Sequence, residues 1–494
     1  MLISLGMRTR DRVAILLPNT PQFVFAFFGI LKAGGIVVNN NPLYKERELE
    51  HQLNDSGAEF IIASNDVVKG DDLYKSLEGC RGRTHLKCVI TTSVTDYLPS
   101  LKRRLASLAG IKRIQRENTT DFVEQVKSYR PITKTAEIDP VDDIAVLQYT
   151  GGTTGVSKGA MLTHYNLYSN AVRTANNLPL NSKDISLGVL PLFHIYGLTT
   201  ALLAPFYAAS QTVLLPEFHV KEVMKTIQQR KVTCFCGVPA MYIAIIYNSE
   251  VRNFNLTSVR ACMSGGSALP IEVRKWFNEL TGGNLVEGYG LSETSPVTHC
   301  NPLVEGGVKA GSIGIPFPET EARIVDPDDP SKVLPIGTVG ELAVRGPQVM
   351  KGYWNNEAET AKVFHDGWFL TGDISKMDED GYFFVVDRKK DMVNVGGMKV
   401  YPREVEEVLF EHPGIKEGAI IGVPDEFYGE AVKAFVVPKE GAGSLTEKDV
   451  IDFCAIRLTK YKVPKKVEFV AELPKSIIGK VLRRKLREPT SRQS

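Results

Sequence analysis

The sequence predicts an α/β protein with a large N-terminal domain of α/β layers, a small β-barrel subdomain at the end of that domain, and a small α/β C-terminal domain. Three observations predict it. Strand-like and helix-like runs alternate from the start to about Gly311, the pattern of parallel strands joined by helices. Beyond Gly311, short strands separated by Gly, Pro and Asp turns take over, which suits an antiparallel barrel-like unit. Near Asp387 the texture changes again and helical runs return. The boundaries read as 1–386 for the large domain, with 311–386 as its barrel-like part, 387–391 as a charged, solvated hinge, and 392–494 as the small domain. A chain of 494 residues exceeds one ordinary core, so about two to four domains or subdomains are expected.

The elements follow in order. Residues 12–17 (Arg-Val-Ala-Ile-Leu-Leu) read as a strand, 21–32 as a helix opened by Pro21, and 36–38 and 60–63 as further strands. The run 144–149 is a buried strand, and 164–177 can form a helix. Residues 187–216 contain no charged side chain, a length that could span a bilayer. Pro191, His194, Gly197, Thr199, Thr200 and Pro205 break it up, so strand, loop, helix and strand is the better reading. The alternation continues with a strand at 212–215, a helix at 220–229 and a strand at 233–236. The short strands of the barrel-like part are 320–325, 340–344 and 381–386. In the small domain, 402–410 is helical with Pro near its start, and Ser444-Leu-Thr-Glu447 is a capping-box pattern before a helix at 450–458.

Composition excludes several classes. A formal charge of +2 with 23% charged residues does not support a nucleic-acid binder driven by bulk charge. Seven cysteines at irregular spacing argue against a disulfide framework. The close pair Cys234-Phe-Cys236 lacks zinc-site partners, so buried thiols in a reducing cytoplasm fit. The first ten residues carry charge too early for a secretory signal. Residues 101–113 are basic and amphipathic, with Leu101, Leu105 and Leu108 on one helical face. A surface helix packed on its own domain is the preferred reading; contact with an anionic membrane is the other.

The stretch Tyr149-Thr-Gly-Gly-Thr-Thr-Gly-Val-Ser-Lys158-Gly159 carries most of the chemistry. Glycines let backbone N–H groups approach an anion, threonine hydroxyls add donors, and a lysine neutralises charge. That suits polyphosphate, although no Walker spacing can be read through it, and a plain Gly/Thr surface loop is the alternative. Further along come Pro191-Leu-Phe-His194-Ile-Tyr196, Ser264-Gly-Gly-Ser-Ala268 and Glu287-Gly-Tyr-Gly-Leu-Ser-Glu-Thr294. Gly367-Trp-Phe-Leu-Thr-Gly-Asp373, Asp387-Arg388, Gly396-Gly-Met-Lys-Val-Tyr-Pro402 and Pro474-Lys-Ser-Ile-Ile-Gly-Lys480 complete the series.

In this order the motifs resemble the adenylate-forming superfamily: acyl-CoA synthetases, peptide-synthetase adenylation domains and beetle luciferases. Residues 287–302 and the insertion beginning Asp96-Tyr-Leu-Pro99 look most like the long-chain fatty acid–CoA ligases. The resemblance implies ATP-dependent ligation of a fatty acid to coenzyme A through an acyl adenylate, releasing AMP and pyrophosphate. It implies that Thr150, Gly151, Gly152, Thr153, Thr154, Gly155 and Lys158 hold the ATP phosphates, with Thr150 and Glu293 at Mg²⁺. Gly265, Gly266, Glu287, Gly288, Tyr289 and Ser292 would line the nucleotide site, where Tyr289 stacks on adenine. Asp373 and Arg388 would meet the ribose, and Lys390 the nucleotide region. Lys480 would be the catalytic lysine of adenylation, and His194, with Tyr196 beside it, the gate of the acyl pocket. Its walls are expected from 220–229, 238–242 and 295–299. The small domain would be mobile, swinging about Asp387 to exchange Lys480 for Gly396 and Gly397 as CoA enters.

The partners implied are a fatty acid, ATP and CoA, with no nucleic acid. A homodimer and peripheral membrane contact through 101–113 stay open. Two departures from the family pattern stand out. The chain begins abruptly where relatives carry several dozen more residues, and Glu217 stands where many have a basic residue, which weakens a CoA contact. Other readings are a CoA ligase for medium-chain or aromatic acids, a catalytically impaired acyl- or nucleotide-binding homologue, and, on the uncharged segment alone, a transporter.

Overall fold

The computed structural model describes residues 1–132, 135–150, 157–304, 306–396, 398–439, 445–475 and 481–487. A first seven-stranded sheet runs, edge to edge, through Lys158–Thr163, Ile144–Thr150, Ile36–Asn39, Arg12–Leu16, Phe60–Ser64, Cys88–Thr92 and Thr120–Asp121. All neighbours are parallel except the first pair. Strand Lys158–Thr163 has no counterpart in the sequence reading. Because it lies antiparallel to Ile144–Thr150, the Gly/Thr loop joins the two arms of a hairpin rather than a strand and a helix.

A second seven-stranded sheet runs through Gln211–Leu214, Ile185–Gly188, Cys234–Gly237, Ala261–Ser264, Asn284–Gly290, Val297–Cys300 and Ile315–Pro316. Its first five strands are parallel and the last two antiparallel. The uncharged segment behaves as expected: strand, loop, a helical run from Ile195 to Tyr207, and strand. Pro205 cannot donate to the carbonyl one turn earlier, and the helix widens into π turns over Leu198–Leu203. The Thr212 hydroxyl donates to that freed Ala201 carbonyl at 3.1 Å. Among the described residues no helix is long and apolar enough to cross a membrane.

Five antiparallel strands follow: Glu321–Val325, Gly340–Arg345, Trp368–Met377 and Phe364–His365, with Phe383–Arg388 also on Trp368–Met377. The antiparallel pairing is as expected, and among the described residues no strand pairing closes it into a full barrel. The last sheet contains Met398–Val400, Val393–Val395, Gly429–Pro438, Ile415–Asp425 and Lys466–Phe469. Val405 and Leu409 from one helix and Val450 and Cys454 from another pack with Ile420, Val432 and Val436 to give this unit its own core.

Three expectations are corrected. The second of those helices, Glu447–Ala455, is capped by Thr446, whose hydroxyl accepts from the Asp449 N–H at 3.2 Å while Asp449 accepts in return. The capping box therefore starts two residues after the one expected at Ser444, which lies outside the described residues. The stretch 387–391, expected as a solvated hinge, is solvated only in part: Lys390 is exposed, but Asp387 is 4% and Asp391 8% exposed. The N–H groups of Arg388 and Arg403 donate to Asp387, and Arg483 and Arg487 face Asp391. Helix Ser100–Leu108 is formed as expected but buries no residue, and Leu101, Leu105 and Leu108 are 70%, 56% and 85% exposed. Its leucine face is not packed on its own domain.

Candidate functional site

Residues 151–156 lie outside the described residues, so Gly151, Gly152, Thr153, Thr154 and Gly155 are not placed. Thr150 and Lys158, the ends of the hairpin arms, are register partners. The Lys158 ammonium pairs with Glu359 and sits 5.2 Å from the centre of the Tyr353 ring. Tyr353 donates its hydroxyl to Glu293 Oε1 at 2.9 Å. Four residues from separate stretches therefore form one chain of contacts, Glu359–Lys158–Tyr353–Glu293. Backbone bonds build the frame: Met350 N–H donates to Glu293 O at 2.8 Å, Met161 N–H to Gly352 O at 2.9 Å and Trp354 N–H to Gly159 O at 2.8 Å. Lys158 and then Lys362 hold the Glu359 carboxyl down at about 2, while burial and the Glu293 carboxylate push the Tyr353 phenol up. Sequence reading missed Tyr353 and Glu359; only the aromatic pair Tyr353-Trp354 after Gly352 hints at them.

The residues expected at the nucleoside also converge. Asp373, which is 2% exposed, accepts from the Tyr289 hydroxyl at 2.6 Å and pairs with Arg388 Nε at 3.0 Å. Strand pairing sets this up, since Asp373 and Arg388 are register partners across the antiparallel pair. The Tyr289 ring is fixed edge-on against His299, with centroids 5.9 Å apart. His299, the last residue of the expected wall segment 295–299, is fully buried, and burial lowers it to about 3. Gly265 and Gly288 are close approaches. A Cβ at Gly265 would come within 2.9 Å of the Tyr196 ring, and one at Gly288 within 2.7 Å of Met263 Sδ. Gly266 turns with φ +82°, and Ser292 opens the short turn Ser292–Thr294 that carries Glu293. Glu287 is buried in the middle of strand Asn284–Gly290 and accepts from the Leu269 N–H at 3.1 Å; burial raises it to about 7 against the pull of Arg403. Although its side chain reaches solvent, the protein around Lys390 and then the Arg388 guanidinium bring its ammonium down to about 8.

On the expected acyl side, His194 caps the short helix Ile195–Gly197, its Nδ1 accepting from Tyr196 N–H at 3.2 Å. Tyr196 is buried and donates to Gly237 O (3.2 Å) and Met263 O (2.8 Å), so its hydroxyl ties two parallel strands together. Tyr242 does the same through Phe235 O and Met263 O, at 2.9 and 3.0 Å. Val223, Met224, Ile227, Val238, Met241 and Val297, from the three expected wall segments, all belong to the core of the second sheet. A surface cavity of about 470 Å³ beside Tyr165, Tyr168, Arg173 and Phe317 involves none of these residues. Glu217 is exposed, its carboxylate 3.0 Å from His219 Nε2.

In the small domain, Gly396 adopts φ +59° and donates its N–H to Tyr428 O at 2.8 Å. Gly397 and Lys480 lie outside the described residues. The chain on either side of residues 476–480 is pinned: Lys475 pairs with Glu417 at 2.6 Å, Leu482 N–H donates to Pro474 O at 2.8 Å, and Arg483 is bidentate on Glu406. No cluster of three metal-ligating side chains occurs among the described residues. Glu293 and Thr150 do offer hard oxygen donors, and Mg²⁺ is commonly held by one or two carboxylates together with substrate phosphates, so this sparse donor set fits it.

The AMP-binding enzyme family matches residues 1–354, and the AMP-binding enzyme C-terminal domain matches residues 404–480. A long-chain-fatty-acid–CoA ligase of Bacillus subtilis (strain 168) is 45% identical over 491 residues, 98% of this chain and 86% of that protein. One from Escherichia coli O157:H7 is 43% identical, with 98% and 86% covered. Among solved structures, ATP-bound MatB from Rhodopseudomonas palustris superposes with a TM-score of 0.86 at 30% identity, covering 99% of this chain and 90% of that one.

Proposed function

The chain belongs to the AMP-binding enzyme family, and we propose that it ligates a long-chain fatty acid to coenzyme A at the expense of ATP. The observation that carries the substrate class is the 45% identity, over 98% of the chain, to a long-chain-fatty-acid–CoA ligase. A carboxylate is a poor electrophile. Attack of its oxygen on the α-phosphorus breaks the bond to the β-phosphate, releases pyrophosphate and leaves a mixed anhydride. The CoA sulfur, losing its proton, then attacks the acyl carbon and expels AMP. Positioning and charge neutralisation dominate such phosphoryl transfers.

The chain's own groups divide the work. Lys158 holds the terminal phosphates, and Lys480 stabilises charge growing between the carboxylate and the α-phosphate. Asp373 takes the ribose hydroxyls, aligned by Tyr289 and Arg388. Thr150 and Glu293 would hold Mg²⁺, which neutralises triphosphate charge. His194 borders the acyl chain. The hinge at 387–391 lets the small domain exchange Lys480 for Gly396 and Gly397 once the adenylate has formed, which keeps water from a reactive anhydride. The protein works in the cytoplasm and touches the inner face of the membrane through 101–113, a reading supported by the exposed leucine face there. A homodimer would show as twice the 54.5 kDa chain mass by light scattering.

Pyrophosphate release with Mg-ATP and CoA, measured across acetate, octanoate, palmitate, oleate, benzoate and coumarate, tests the reading. Strong turnover with palmitate or oleate, abolished by Lys480→Ala, is expected. Turnover confined to short or aromatic acids would overturn the substrate, and none with any acid would overturn the ligase.

A further inference from the structure

The contact between Lys158 and Glu359 has a chemical consequence. Lys158 lies within the site, its side chain 20% exposed, and a half-buried ammonium left without a counter-ion is costly. Glu359 supplies that counter-ion from the first turn of the helix Glu357–Val363, where Asn356 caps the Glu359 N–H at 3.1 Å and fixes the turn. Its carboxylate also pairs with Lys362, three residues on along the same helix. If Lys158 departs, Glu359 keeps a partner. The Tyr353 ring under the ammonium gives Lys158 a surface along which to move without losing its cation–π contact. The hydroxyl of that same ring is anchored on Glu293.

We propose that Glu359 is an exchangeable counter-ion for the phosphate-binding lysine: it holds Lys158 when the terminal phosphates are absent, yields it to them when ATP binds, and takes it back as pyrophosphate leaves. The proposal rests on the ligase reading for the identity of the anion. Glu359 is thus a positioning residue that competes with ligand. A group that stabilises only the empty state weakens binding by the amount of that stabilisation. Its competition falls on ligands that reach Lys158, namely ATP and pyrophosphate, and spares AMP, which has no β- or γ-phosphate. It keeps pyrophosphate release from being opposed by a bare ammonium.

The test is equilibrium binding of Mg-ATP, Mg-pyrophosphate and AMP to the full chain by calorimetry, with no acid or CoA present. In Glu359→Gln the Kd for Mg-ATP and for pyrophosphate should fall about threefold, the scale of a partly exposed ion pair, while that for AMP stays put. Glu359→Ala should repeat the pattern, because an alanine is well tolerated at this partly exposed helical position. In a Lys158→Ala background the same substitutions should change nothing, which closes a double-mutant cycle. An unshifted ratio of ATP to AMP affinity would overturn the proposal. Weaker ATP binding would also overturn it, by making Glu359 a support for Lys158 rather than a competitor. If the wild type binds AMP and ATP yet the ratio stays fixed, only this proposal falls. If it binds neither, the ligase reading falls and takes the proposal with it.

Discussion

Burial leaves the Glu287 carboxyl at about 7, against an ordinary 4.5. The folded chain therefore holds this proton more tightly than the unfolded chain does. The group's contribution to stability is highest below about 4.5, declines as pH rises, and levels off above about 7. Across that window stability falls by about 1.4 kcal/mol for each pH unit, or about 3 kcal/mol in all. Glu287→Gln keeps the shape and an acceptor for the Leu269 N–H but cannot ionise. Urea unfolding at pH 5 and pH 8 should show the variant gaining on the wild type by about that amount at the higher pH; parallel pH profiles would contradict it. At this scale the sequence was informative where a motif fixed a residue's backbone. Asp373, Tyr289 and Arg388 were each expected at the nucleotide and do meet, because adjacent antiparallel strands bring the last of them opposite the first. Tyr353 and Glu359 were hardly legible, because the Tyr353-Trp354 pair is the one local hint of them. Their place depends on chain 350–354 lying along the hairpin arm Lys158–Thr163, which is a tertiary fact.

Elements show the same division between local and long-range information. Helices with periodic apolar faces, such as Pro402–Phe410 and Val220–Arg230, were legible because their 3.6-residue period is written in the chain. Strand Lys158–Thr163 was not, since Gly159 and the mixed run after it carry no alternation and only pairing with Ile144–Thr150 makes it a strand. The Tyr196 hydroxyl serves the needs of an element. It bonds two carbonyls at the ends of neighbouring parallel strands, and the Gly265 backbone packs on its ring. Tyr196→Phe should lower stability by about 1–2 kcal/mol, as for lost buried hydrogen bonds, and leave the acid chain-length preference unchanged. A changed preference at unchanged stability would return Tyr196 to the acyl pocket. The basic tail holds a second case. Arg483 spans Glu406 and Asp391, and Arg487 adds to Asp391. Arg483→Ala would leave Glu406 without that bidentate partner, a loss of about 3 kcal/mol for a buried pair broken on one side. Hydrogen exchange should then rise through Pro402–Phe410 and Ile415–Asp425 while the first two sheets stay protected; protection unchanged in the small domain would show that the pairing carries no stability.

For the molecule as a whole, the open question is where a chain with no membrane-spanning helix among its described residues meets a substrate that partitions into lipid. Helix Ser100–Leu108 presents Leu101, Leu105 and Leu108 to solvent, while Lys102, Arg103 and Arg104 are exposed beside them. Arg103 donates to the Asp96 carbonyl, which orients its guanidinium without neutralising it, so Lys102, Arg103 and Arg104 all contribute positive charge. The exposed pair Phe25 and Tyr97, with rings 5.2 Å apart, adds an aromatic rim. A formal charge of only +2 over the whole chain means that attraction to an anionic surface must come from this local patch rather than from a global field. Apolar insertion and local charge should both be needed, as for interfacial helices generally. Full burial of a leucine is worth roughly 1.5–3 kcal/mol, and partial insertion of three of them about 3 kcal/mol in total. Replacing Leu101, Leu105 and Leu108 together by serine should therefore reduce co-sedimentation with phosphatidylglycerol vesicles by at least about tenfold. Binding of the wild type should also weaken between low salt and about 0.15 M salt, where screening reaches about 8 Å. Turnover of detergent-dispersed oleate should be unaffected, because the helix contributes no residue to the site. Equal binding of variant and wild type, or equal binding to neutral and anionic vesicles, would remove this surface as the point of contact and leave the exposed leucines without a role.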